Sequence, residues 1–106
     1  MKSIYRGTTP LIKFTHPFDY QYITKLSVTF TQDGKEIIKI KLGDSELYSI
    51  ENGLVVVELT EEETNKFKHN FPVDAQLKIK NLDGEIWVSD VEHYTVHRIL
   101  DTESFN

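Results

Sequence analysis

Apolar and polar residues alternate along most of this chain, and turn residues cut the alternation into short lengths. Between Tyr22 and Thr31, Leu26, Val28 and Phe30 share one side of an extended segment while Lys25, Ser27 and Thr29 take the other, which predicts a half-buried strand. Gln32-Asp33-Gly34-Lys35 follows, and Asp-Gly supplies the positive φ angles that a tight hairpin demands. Ile38, Ile40 and Leu42 then continue the inward set, with Lys39 and Lys41 outside. A second hairpin is predicted around Leu82-Asp83-Gly84-Glu85. Before it, Val73, Ala75, Leu77 and Ile79 alternate with Asp74, Gln76, Lys78 and Lys80. After it, a long last strand runs from Glu85 to about Leu100, with a bulge or break at Ser89-Asp90-Val91. Ile86, Val88, Tyr94 and Val96 fit one inward register there; Trp87 points outward in that register and into the core if the register is shifted.

The remaining segments are read in the same way. Thr9 to Thr15 is a first strand, with Leu11, Ile12 and Phe14 as its apolar content and Pro10 tolerated near an edge. His16 to Gln21 is a loop, Leu47 to Ile50 a short edge strand, and Leu54 to Leu59 a strand with Val55, Val57 and Leu59 opposed to Val56 and Glu58. Thr60-Glu61-Glu62-Glu63 is a capping box, since Thr60 can accept from the N–H of Glu63 while Glu63 reaches back to the N–H of Thr60. It predicts a helical turn near residues 60–68, anchored by Phe67. Residues 1–8 are expected to form an N-terminal arm and 101–106 a polar tail of one domain spanning 1–106. Short hairpin-paired strands with frequent turns predict an all-β, immunoglobulin-like antiparallel β-sandwich of about seven strands; a small open barrel is the alternative.

Composition narrows the function classes. The 106 residues contain no cysteine, so no disulfide, thiolate metal site or cysteine nucleophile is available. Twelve basic and 17 acidic residues give a formal charge of −5, which argues against a nucleic-acid partner, and Lys35, Lys39 and Lys41 read as a solvated strand face. No apolar run approaches the ~20 residues of a spanning helix, and no signal-peptide core stands at the start, so no membrane partner is expected.

Candidate chemistry is sparse. His93 and His97 would lie on one strand face but about 13 Å apart, too far to share a metal ion. Asp90 and Glu92 could pair as carboxylates, yet such a pair beside a bulge more often belongs to a charged edge. No nucleophile elbow or glycine-rich phosphate loop is present, so no enzyme activity, catalytic residue, metal or cofactor is expected. The aromatic residues are the remaining candidates. Phe18, Tyr20 and Tyr22, with Trp87, form a possible interaction surface, and the competing reading has such rings closing the open end of the sandwich.

The opening Tyr5-Arg6-Gly7-Thr8-Thr9-Pro10-Leu11-Ile12-Lys13-Phe14 resembles the start of small proteins encoded in prophages of Gram-positive bacteria. Ser27-Val28-Thr29-Phe30-Thr31-Gln32, Leu59-Thr60-Glu61-Glu62-Glu63-Thr64 and Thr95-Val96-His97-Arg98-Ile99-Leu100 fit the same pattern in order. The pattern is similar to the N-terminal domain of phage baseplate upper proteins, which anchors host-recognition parts to the tail. The resemblance implies a non-enzymatic tail or baseplate component, made in the bacterial cytoplasm and carried in the virion. Its partners would be tail proteins or further copies of itself. It carries over no binding positions, and the aromatic loop Phe18 to Tyr22 departs from the polar residues usual there. A carbohydrate- or host-surface-binding module using Tyr20, Tyr22 and Trp87 as stacking platforms is the second reading.

Overall fold

The computed structural model describes residues 2–105. Its strands are β1 (Lys2–Tyr5), β2 (Leu11–Thr15), β3 (Ile23–Gln32), β4 (Lys35–Lys41), β5 (Leu47–Glu51), β6 (Leu54–Glu58), β7 (Val73–Asn81), β8 (Ile86–Val88) and β9 (Glu92–His97), with a short α-helix α1 (Glu61–Thr64) and a 3-10 turn at Tyr20–Tyr22. They form two sheets, ordered β1-β9-β7-β3-β4, with β8 also on β7, and β2-β6-β5. With β2 to β7 in the places of strands B, C, C′, D, E and F, and β8 with β9 as a divided G, this is the strand order of an immunoglobulin-like sandwich. No helix of the described residues is long and apolar enough to cross a membrane.

The hairpin β3–β4 forms as its alternation predicts. Asp33 and Gly34 both take positive φ, 50° and 74°, the conformation of a two-residue turn whose twist matches the flanking strands. Leu26, Val28, Phe30, Ile38 and Ile40 are buried beneath it, together with Val73, Ala75, Leu77 and Ile79 of β7 and Ile12, Phe14, Val55 and Val57 of the facing sheet. Leu42 departs from its expected inward place: β4 ends at Lys41, and Leu42 is exposed. Val56, expected outside, is buried because β6 is the central strand of its sheet. Leu11 is exposed, and β2 begins only after Pro10.

The capping box closes at both contacts, Glu63 N–H to Thr60 Oγ1 at 3.1 Å and Thr60 N–H to Glu63 Oε1 at 2.8 Å. The helix stops after Thr64, sooner than expected, and Phe67 is buried against Phe30. Buried Gln32 secures the chain that follows: its amide donates to the carbonyls of Lys68 and Phe71 and its Oε1 accepts from the Lys68 N–H.

Three features correct the sequence reading. Residues 2–5 are not an arm: β1 pairs in parallel with β9, Ile4 is fully buried opposite Val96, and the sheet is therefore mixed rather than purely antiparallel. The long last strand is two strands, and the described residues form nine strands. The break at Ser89–Val91 also switches which side chains face in: Trp87 on β8 sits opposite buried Ile79, Tyr94 on β9 sits opposite buried Val73, and Ile86 and Val88 are exposed. An unpaired residue in a strand reverses its alternation. Ser89 bridges the break by accepting the Leu77 N–H on its Oγ at 3.0 Å and donating its own N–H to the Leu77 carbonyl at 2.9 Å.

Candidate functional site

The loop between β2 and β3, the β5–β6 turn and the β7–β8 turn meet at one end of the sandwich. They are stitched by main-chain bonds: Gly53 N–H to the Phe18 carbonyl and His16 N–H to the Gly53 carbonyl, both 3.1 Å, and Leu82 N–H to the Tyr22 carbonyl, 2.9 Å. The Asn52 side chain accepts the Tyr20 N–H at 2.9 Å. Buried His16 fixes the loop from within. Its Nδ1 accepts the Phe18 N–H at 3.1 Å, so the proton sits on Nε2 and is donated to the Glu51 carbonyl at 3.0 Å. A loop tied this densely presents its side chains on a set frame rather than a floppy one.

The four aromatic candidates divide into two pairs. Phe18 is half-buried and packs on the core; Trp87 meets it edge-on, with ring centroids 6.0 Å apart at 89°, and packs on the same core. Phe18 also stacks on His16, at 6.3 Å. These two rings close the sandwich, as the competing reading had it. Tyr20 and Tyr22 point the other way, each 52% exposed, and Leu82 beside them is 62% exposed. Pro17, Phe18, Asp19, Tyr22, Asn81, Leu82 and Asp83 line an open groove between the two loops.

The histidine and acid pairs weighed from sequence go elsewhere. His93 Nδ1 and Asp74 Oδ1 share a hydrogen bond of 2.6 Å across the β7–β9 pair. His97 stacks on Tyr5 at 5.0 Å and its Nε2 lies 3.3 Å from Ser3 Oγ. Asp90 is exposed in the break, while Glu92 is half-buried opposite Ala75. Among the described residues no group of three or more His, Asp or Glu side chains could hold a metal.

Sequence reasoning missed a second surface. On the outer face of the larger sheet, Lys25, Lys39, Lys41, Lys78 and Lys80 line one broad groove of about 610 Å³ with Ser27, Leu42 and Ile86. The register explains it: Lys25 lies directly opposite Lys80, and Ser27 stands between Lys78 on one side and Lys41 on the other. Only the lysines of β4 stand out in the linear sequence; those of β3 and β7 join them through strand pairing.

Electrostatics set two carboxyls apart. Burial, with Glu46 beside it, holds the Glu63 carboxyl above its ordinary range, while the hydrogen bond from Glu63 holds Glu46 below it. Desolvation, reinforced by Glu92, pushes the Tyr94 hydroxyl up to about 12. No protein-family model and no curated protein matches the chain.

Proposed function

We propose that this chain is a non-enzymatic structural protein of a phage or prophage particle, a tail or baseplate component that works through protein–protein contacts. The observation that carries the reading is the loop end, where Tyr20, Tyr22 and Leu82 stand exposed on a frame tied by backbone hydrogen bonds. Tyrosine offers large contact area at low conformational cost, so two of them on a set frame suit an anchoring role at a protein interface. The resemblance of Tyr5 to Phe14 and of the later segments to prophage-encoded proteins supplies the particle context. Strands β2 and β5 lie at the two edges of the smaller sheet and offer a second mode, pairing with an added strand.

Binding to a carbohydrate or host surface is the second reading, favoured by Tyr22, which lines the open groove, and by exposed Tyr20 on the same loop. Trp87 leaves that set, because it is tucked against Phe18. Two experiments separate the readings. Mass spectrometry of particles purified after prophage induction would find this chain at fixed stoichiometry to tail proteins, and Tyr20→Ser with Tyr22→Ser would deplete it. A chain found only outside the particles refutes the structural reading. Binding to a glycan panel that is lost in the same double variant would support the second.

A further inference from the structure

We propose that the lysine-lined outer face of the β7–β3–β4 sheet docks the acidic helix corner of a second copy of this chain, in a head-to-tail contact. Five of the chain's 12 basic residues stand on this face, and among the described residues no carboxylate lines the groove between them. Their only cross-strand companions are each other or neutral side chains, Lys25 opposite Lys80 and Ser27 opposite both Lys78 and Lys41. Like charges directly opposite on a sheet oppose folding, so the arrangement costs stability in the free chain and is relieved when an anionic surface covers it.

The chemistry of the face selects a protein surface. The cations are all lysines, whereas Arg6 and Arg98 lie together at a separate crevice, so the forked donors that grip phosphate are missing here. No aromatic ring lines the groove, which leaves a nucleic acid or a sugar without a stacking platform. The exposed companions are aliphatic: Ile86 at 63%, Val88 at 49% and Leu42 at 44%. Aliphatic patches beside charges that need a partner are the make-up of a protein contact.

Charge complementarity points to a second copy. Setting the five lysines aside takes the chain's formal charge from −5 to −10, so the rest of the molecule taken together is acidic. The acids concentrate where β6 runs into α1: Glu58 and Glu62 are exposed, Glu61 is half-exposed, and the carbonyl of Glu46, the residue before β5, accepts the Glu58 N–H at 2.8 Å. Asp101 and Glu103 share with Glu61 the crevice that also holds Arg6 and Arg98, so the exposed Glu58 and Glu62 are the acids of this corner outside that mixed cluster. A two-fold contact between lysine faces would set cation against cation; a contact of lysine face to acidic corner is heterologous and leads to a ring or a stack. This proposal uses a different surface from the loop end and does not depend on it.

The test is the oligomeric state of the whole chain by sedimentation velocity, from about 0.05 M to about 0.5 M salt, over which the screening length falls from more than 10 Å to less than 5 Å. The expected result is concentration-dependent association at low salt that disappears at high salt. Lys78→Glu with Lys80→Glu is expected to leave a monomer at every salt concentration, as is Glu58→Lys with Glu62→Lys. Mixing the two variants is expected to restore association as a pair, a rescue that misfolding would not give. Circular dichroism checks that each is folded; if the glutamate-to-lysine variant does not fold, the lysine variant alone decides. A wild-type monomer at low salt overturns the proposal, as does association that survives both sets of changes. Salt-sensitive binding of an oligonucleotide to a chain that stays monomeric overturns it in favour of an anionic polymer.

Discussion

Replacing Phe18 with alanine tests whether the loop end is a set frame. Phe18 joins the β2–β3 loop to the core, stacks on His16 and receives the edge of Trp87. A fully buried Phe→Ala change costs about 3–5 kcal/mol. Phe18 is only half-buried, so roughly half of that applies, about 1.5–2.5 kcal/mol, of which the edge-on contact with Trp87 accounts for about 0.5–1.5 kcal/mol. For a domain of this size that lowers the thermal midpoint by roughly 10 °C. Trp87 is the only tryptophan, so its emission reports the same event and should move to the red as the ring gains water. Tyr20→Ala, at an exposed site on the same loop, should stay within about 0.5 kcal/mol of wild type. If Phe18→Ala melts with Tyr20→Ala and Trp87 emission does not move, the loop is not held as described, and the frame argument fails.

Other changes probe the rest of the account. Ile4→Ala removes the one buried side chain of β1 and should cost about 2–5 kcal/mol in urea unfolding, whereas a solvated arm would lose less than about 0.5 kcal/mol. Ser89→Ala leaves the Leu77 N–H without its acceptor and should cost about 1–3 kcal/mol, with faster amide exchange at Leu77; unchanged exchange there would show that the serine does not bridge the break. Glu63 binds its proton more tightly when folded, so its contribution is full below the unfolded carboxylate pKa and is lost as pH rises through its raised folded value. Glu46 behaves oppositely: its contribution is present above the unfolded value and is lost as pH falls through its lowered one. Glu63→Gln keeps an acceptor for the Thr60 N–H without the buried charge, and should therefore melt higher than wild type at neutral pH, with the difference shrinking in acid; a lower midpoint at neutral pH contradicts the reading.

The sequence carried local structure well and assembly poorly, for physical reasons. The β3–β4 hairpin was legible because Leu26, Val28 and Phe30 alternate up to an Asp-Gly turn and Ile38 and Ile40 resume after it. The capping box and the break at Ser89–Val91 are likewise local signals. β1 was not legible: four residues with a single buried side chain, Ile4, give no alternation to detect, and a parallel partner more than 90 residues away lends no turn to mark it. The side on which Trp87 falls depends on whether the break inserts a residue, which composition does not encode. Phe18, Tyr20 and Tyr22 read alike as aromatic loop residues, and only the meeting of three loops sorts Phe18 inward and the tyrosines outward. The lysine face arises from pairing of β7, β3 and β4, so each strand by itself looks like an ordinary solvated surface.

Tyrosine footprinting, comparing the free chain with the chain inside assembled particles, tests the loop-end contact most directly. Tyr48, 63% exposed on edge strand β5, reports separately on strand pairing at that edge. The account predicts that nitration of Tyr20 and Tyr22 falls sharply on assembly, whatever happens at Tyr48. Equal labelling of Tyr20 and Tyr22 in both states, or protection confined to Tyr48, would contradict it.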